Sequence, residues 1–180
     1  NKCWFCSVWK REPKLIELPI CEGWNLLDDN ILACSEQHIR AVFSMLKRQK
    51  ESGHRIEFTG GLEAKILQPW HVDLLADLKP AQMFFAYDTP ADWEPLVEAS
   101  KMLHEAGFTR QHLRCYVLIG YPEDTLSEAE ARLTAVRDLL GICPMAMLWR
   151  DQKGIVSSEW ATLQREWARP AIIYKQQAKE

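Results

Sequence analysis

The chain has no long apolar run, no excess of charge of one sign and no dense set of cysteines, and each absence removes a class of protein. Strictly apolar runs such as Cys115–Ile119 and Met145–Trp149 stop at five residues, far short of the ~18 that a membrane-spanning helix needs. The N-terminus shows no apolar stretch of the secretory type, so a soluble, cytoplasmic protein with no membrane partner is expected. Twenty-two Lys and Arg stand against 25 Asp and Glu, a net charge of -3, which gives nucleic acid no basic surface to bind. Six cysteines spread over 180 residues are too sparse for a disulfide scaffold, and reduced thiols are expected. What remains, at 47% hydrophobic and 26% charged side chains, is the composition of a globular domain with a core of its own.

The apolar pattern alternates between two periods. Strand-like runs lie at Asn25–Leu27, Arg55–Thr59, Gln82–Tyr87, Leu113–Ile119 and Met145–Trp149, each followed by polar, Gly or Pro punctuation. Helical patterns fill the gaps. Ser35 caps one with Ile39, Val42, Phe43 and Leu46 on a single face, and Pro69 opens another with Val72, Leu75 and Leu78. A third runs over 91–106 with Gly107 behind it, and a fourth follows Asp124 or Thr125 with Leu133, Val136 and Leu140 inward. Alternation of this kind predicts a parallel sheet. Strand starts recur about every 30 residues, the repeat of a βα barrel, and strands apolar on both faces fit either a barrel or a doubly wound sheet. Five units are visible, so the architecture is expected to be a partial barrel or an open sheet. Residues 155–180 carry Trp160, Leu163 and Trp167 at helical spacing, then Pro170 and Ala171–Tyr174, which read as a last helix and strand or as a docked tail.

In parallel βα architectures chemistry sits at the C-terminal ends of the strands, where the loops converge. Those ends carry Asp28–Asp29–Asn30, Gly60–Gly61 with Glu63, Tyr87–Asp88–Thr89, Gly120–Tyr121–Pro122–Glu123 and Arg150–Asp151. Each group alone is ordinary loop and cap material; the recurrence on one rim is not explained that way. Two glycines directly after a strand allow close approach of a ligand to the backbone. They form neither a dinucleotide fingerprint nor a P-loop. Cys21, Cys34, Cys115 and Cys143 stand singly and read as buried, inert thiols. Cys3 and Cys6 form a C-x-x-C pair, a spacing shared by half a zinc site, a dithiol redox pair and part of an iron–sulfur ligand set. The five histidines, His38, His54, His71, His104 and His112, read as solvated or packing residues, and the eight tryptophans as core and interface filler.

On these residues the chain, from about Asn1 to Asp151, resembles the radical S-adenosylmethionine (SAM) superfamily. The family's cluster loop is C-x3-C-x-aromatic-C, and Cys3, Phe5 and Cys6 match its second cysteine, aromatic and third cysteine. The first cysteine falls two positions before Asn1, and the first barrel strand is missing with it, so an N-terminally incomplete chain is expected. Gly60–Gly61–Leu62–Glu63 resembles the Gly-Gly-Glu motif whose backbone meets the SAM amino group, with Leu62 inserted. Tyr116–Glu123 resembles G-x-I-x-G-x-x-E near the adenine, keeping Gly120 and Glu123 but replacing the first Gly and the Ile by Tyr116 and Leu118. Leu27–Asp28–Asp29–Asn30 resembles an acidic rim found in several members, and Asp88 falls where a polar residue serves the SAM ribose or carboxylate.

The resemblance implies a partial (βα)6 TIM-like barrel over residues 1–154, with the cluster loop at 1–20 and a C-terminal tail at 155–180. It also implies an enzyme in which Cys3 and Cys6 help hold a [4Fe-4S] cluster. Phe5, Gly60, Gly61, Glu63, Asp88, Gly120 and Glu123 would then bind S-adenosylmethionine, and a 5′-deoxyadenosyl radical would abstract hydrogen from a substrate. Asp29, Tyr87, Trp149 and Arg150 are the candidates for contacting that substrate. An electron donor such as flavodoxin or ferredoxin would be the partner. Two alternatives stand beside it: a cluster-free βα-barrel binding or scaffold domain, and a small zinc or dithiol protein that uses Cys3 and Cys6.

Overall fold

The computed structural model describes residues 4–5, 10, 14–28, 30–150, 153–154 and 156–177. Five parallel strands form one sheet in the order β1 (Asn25–Leu26), β2 (Glu57–Phe58), β3 (Gln82–Tyr87), β4 (Leu113–Ile119) and β5 (Cys143–Leu148). The connecting helices are α1 (Glu36–Glu51), α2 (Pro69–Leu78), α3 (Trp93–Glu105) and α4 (Leu126–Asp138), and α5 (Ser158–Glu166) and α6 (Pro170–Gln177) follow β5. The expected α/β class with a parallel sheet is therefore present. Spatial order equals chain order throughout, so the sheet lacks the order reversal that defines the ligand crevice of a doubly wound fold.

The helices begin where the capping chemistry places them. The Ser35 hydroxyl accepts the His38 N–H at 3.2 Å, and Thr125, not Asp124, caps α4 by accepting the Glu128 N–H. Pro69 occupies the first turn of α2. Ile39, Val42, Phe43 and Leu46 of α1 are all buried, as are Leu75 and Leu78 of α2 and Leu133 and Val136 of α4.

Alternation along the strands divides the sheet into two unlike faces. On β4, Leu113, Cys115, Val117 and Ile119 are each 0% exposed and join Met83 and Phe85 of β3 in the main core with Leu96, Leu103 and Leu133 from the helices. The register puts Gln82, Phe84 and Ala86 of β3 beside Arg114, Tyr116 and Leu118 of β4 and Cys143, Met145 and Met147 of β5 on the other face. Ala86 and Met147 there are exposed, and Phe84 stacks on Tyr116 at 4.7 Å. At its N-terminal end this face is closed. Arg114 and Cys143 are buried, and Tyr174 of α6 packs on Arg110 at 4.5 Å and sits beside the Cys143 thiol. The result is a cup floored by α6 and open toward the C-terminal strand ends.

Several expectations are corrected. Ala171–Tyr174 is helical, not a strand: Pro170 sits in the first turn and, of these four residues, only Ile173 is fully buried, the pattern of a helix with one inward stripe. β5 starts at Cys143 rather than Met145 and so contains Pro144, which an edge strand tolerates because it has no inner ladder to break. Its free edge is covered by α5, with the Ala146 N–H donating to the Trp167 carbonyl at 3.0 Å. Of the single cysteines, Cys115 and Cys143 are buried as expected, whereas Cys34 is half-buried and Cys21 exposed. Trp4 and Trp24 are about half exposed and fill no core. No helix among the described residues is long and apolar enough to cross a membrane.

Candidate functional site

The loops at the C-terminal strand ends form the rim of the cup, and they are tied together by polar contacts. After β2 the ladder continues without strand geometry: the N–H groups of Thr59 and Gly60 both donate to the Leu26 carbonyl, at 3.1 and 3.0 Å, and the Leu62 N–H donates to the Phe84 carbonyl at 2.7 Å. A Cβ at Gly60 would overlap the backbone of Leu27 and Asp28, so the loop closes this tightly only around glycine. Gly61 takes φ +106, a left-handed conformation with nothing near its missing Cβ. Its open side is bare backbone. Glu63 is positioned by Asn30, whose Nδ2 donates to Oε2 at 2.6 Å across the β1 and β2 loops.

At the end of β3 the side chains of Tyr87 and Asp88 diverge. Tyr87 lies on the helix-side face against Trp93 at 5.5 Å, and burial raises its hydroxyl pKa. Burial, helped by the nearby Asp92, pushes the Asp88 carboxyl up to about 6. Asp92 is itself engaged, since its Oδ2 accepts the N–H groups of Asp88 and Thr89 and the Thr89 hydroxyl, and its Oδ1 lies 3.3 Å from Lys65 Nζ. Beneath them the Cys115 thiol is pushed well above its ordinary range by burial and by these two acids.

The rim after β4 is organised by Asp124. Its side chain is fully buried, with Oδ2 accepting from Gly120 N–H at 2.8 Å and from Arg132 Nη2 at 2.8 Å. Arg132 also donates to the Leu118 carbonyl and covers the Tyr121 ring at 5.3 Å. Glu123, by contrast, is exposed and holds φ +73 in the turn. Trp4 lies 6.0 Å from Tyr121, 6.1 Å from Trp149 and 5.5 Å from Phe5. The two residues that separate Cys3 from Cys6 thus sit on the rim at the ends of β4 and β5.

The structure brings Gly60, Gly61 and Glu63 together through the β1 and β2 loops, and Phe5 and Trp149 together through Trp4. Gly120 is held through Asp124, and Asp88 lies between these groups at the β3 end. Arg150 is exposed beside Trp149. Cys3, Cys6 and Asp29 lie outside the described residues. Sequence reasoning missed Asn30 as the partner of Glu63, Asp92 as the anchor of the β3 loop, and the Asp124–Arg132 pair. Thr89-x-x-Asp92 has the capping-box spacing, and Asp124 and Arg132 are eight residues apart, about two helical turns. Both signals are present in the chain. The link between Asn30 and Glu63 spans 33 residues and has no local signature. Among the described residues no group of three or more His, Cys, Asp or Glu could hold a metal ion. The chain matches no family model, no curated protein and no solved structure.

Proposed function

We propose that the chain is the SAM-binding part of a radical SAM enzyme, a sector of a (βα)6 barrel whose cup receives the substrate. The observation that carries this reading is the position of Trp4: lying between Cys3 and Cys6 in the chain, it rests against Tyr121, Trp149 and its neighbour Phe5 on the same rim as Gly60 and Gly61. The chain's residues fit the cofactor. The Gly61 backbone, with nothing near the place of its missing Cβ, is open to a charged amino acid moiety, and Glu63, fixed by Asn30, is an acid suited to its ammonium. Phe5, Tyr121 and Trp4 form an aromatic cluster suited to pack against a planar base. Asp88 offers a half-buried carboxyl that is partly protonated near pH 6 and so can donate or accept a hydrogen bond to a hydroxyl. Cys3 and Cys6 would be two thiolate ligands of the [4Fe-4S] cluster, the third coming from the family's position before Asn1.

When bound, the cluster and SAM supply one-electron reductive cleavage and hydrogen abstraction. The protein's part is placement and shielding. Asp124 holds the Gly120 turn, and the Asn30–Glu63 bond holds the facing loop, so both sides of the rim are preorganised. Tyr116, Met145 and Met147 on the open face, with the rim aromatics, give a largely apolar wall. The proposed electron donor is a flavodoxin or ferredoxin.

The test is anaerobic reconstitution of the encoded protein extended upstream through the position two before Asn1. Iron, acid-labile sulfide and an absorption band near ~400 nm are expected, with 5′-deoxyadenosine formed on adding SAM and reductant. Cys3→Ala and Cys6→Ala should each abolish iron binding. A protein that takes up no iron overturns the reading in favour of a cluster-free scaffold, and zinc without iron overturns it in favour of a zinc or dithiol protein.

A further inference from the structure

Residues 14–22 run along α1 ahead of the sheet, and every one of them is exposed. Polar contacts pin them at both ends of that helix. The Glu17 carboxylate accepts from the Ser35 N–H and hydroxyl at the helix start, and Glu22 accepts from Arg48 and Gln49 in its last turn. Those anchors lie about 20 Å apart along the helix, and the chain from Glu17 to Glu22 reaches about 17 Å only when extended. The segment is accordingly drawn out, with no turn or bend over 15–23.

Its backbone and its apolar side chains are both unused. Among the described residues no N–H or C=O of 14–23 pairs with other backbone. Leu15 and Ile16 are 59% exposed, Leu18 69% and Ile20 40%, and with Trp24 and Leu27 they make up six of the ten exposed large apolar side chains of the described residues. Such a concentration marks an interaction surface. An extended chain with free backbone groups accepts another extended chain beside it.

The segment is its own complement. Set antiparallel to a second copy about Leu18, Ile16 faces Ile20, Leu18 faces Leu18, and Lys14 faces Glu22 at both ends. With 16, 18 and 20 as the hydrogen-bonded positions, Pro19 falls where an N–H would point away from the second copy, so its missing donor costs no bond. Centring the pair on Glu17 instead sets two carboxylates face to face, and centring it on Pro19 sets Glu22 on Ile16. Glu22 keeps 64% of its side chain exposed while paired with Arg48, so it can also accept from Lys14 of the second copy.

We infer that residues 14–22 pair antiparallel with the same residues of a second copy of this chain, giving a two-fold dimer with Ile16, Leu18 and Ile20 as its seam and a Lys14–Glu22 pair at each end. The inference goes beyond the cofactor reading and does not depend on it, since the seam needs neither cluster nor SAM. Sedimentation velocity over a concentration series is expected to show a monomer–dimer equilibrium. Leu18→Lys, which sets two charges face to face at the centre, should leave a monomer. Lys14→Glu and Glu22→Lys should each weaken self-association by about tenfold. A mixture of those two variants should recover the parent's affinity, because in their heterodimer every Glu at these positions faces a Lys. Leu139→Lys, which removes an exposed apolar side chain elsewhere, should dimerise as the parent does. A monomer at every concentration, a dimer untouched by Leu18→Lys, or no gain on mixing the two charge variants overturns the inference.

Discussion

β4 pairs with β3 over five residues and with β5 over six, whereas β1 and β2 pair over only two. The long-strand side is held by a core in which every second residue of β4 is fully buried. The short-strand side is held by its loops: the Gly60 turn, two N–H groups sharing the Leu26 carbonyl, and the Asn30–Glu63 bond. Both halves rest on buried apolar area, Phe43 and Phe58 on the short-strand side included, but only one has long ladders and the other relies on loop geometry. The tight Gly60–Gly61 turn falls on the short-strand side, where no long ladder fixes the loop.

The sharpest way to break this contrast is Gly60→Val. Overlap with the Leu27 and Asp28 backbone should cost more than about 4 kcal/mol, with amide hydrogen exchange protection lost first in β1 and β2 while β4 stays protected. Leu133→Ala attacks the other side by removing a fully buried side chain beneath β4. It should cost about 3 kcal/mol and lower protection across β3–β5 together, read by chemical denaturation and exchange.

Asp124→Ala tests a buried polar anchor on the long-strand side. It leaves Arg132, only 16% exposed, and the Gly120 N–H without their acceptor, and a loss of about 2 kcal/mol is expected in urea unfolding. Asp88 gives a smaller, pH-dependent effect. Its folded pKa of about 6 lies above the ordinary 3.8, so its contribution is full below pH 4 and is lost as pH rises through 6. Asp88→Asn, which stays neutral, should match the parent near pH 4 and exceed it by about 1 kcal/mol at pH 7, measured by thermal melts across that range. Smallest is Asp77→Ala, which removes an exposed pair with Lys47 at 2.7 Å and should leave the denaturation midpoint nearly unchanged.

The same contrast governs how much of the molecule is legible in its sequence. Ser35, Pro69, Thr125 and the stripes behind them mark helices because capping and a 3.6-residue period are local properties of the chain. The long strands are legible for the same reason. The five-residue run Arg55–Thr59 shortens to Glu57–Phe58 because pairing requires a partner, and β1 offers only two residues. Glu123 stands out beside Gly120, yet its neighbour Asp124 is the buried acid: the turn gives Glu123 a positive φ that points it to solvent. Ala171–Tyr174, read as a strand or as part of a docked tail, folds as a helix, because a four-residue apolar run does not distinguish strand from helix. The Asn30–Glu63 bond joins loops that meet only once the sheet has formed, and no spacing encodes it.

The sequential strand order also bears on how the chain reaches this state. Every strand pairs with the one completed just before it, about 30 residues upstream, and no pairing waits for a distant segment. Loop closure is therefore short at each step, which favours rapid folding, and a nascent chain can add one strand and helix at a time as it is synthesised. The exception is α6, whose Tyr174 and Ile173 close the floor of the cup. It follows all five strands in the chain, and until it docks the inner face of β4 and β5 stays wet, so the floor closes only after the sheet is complete.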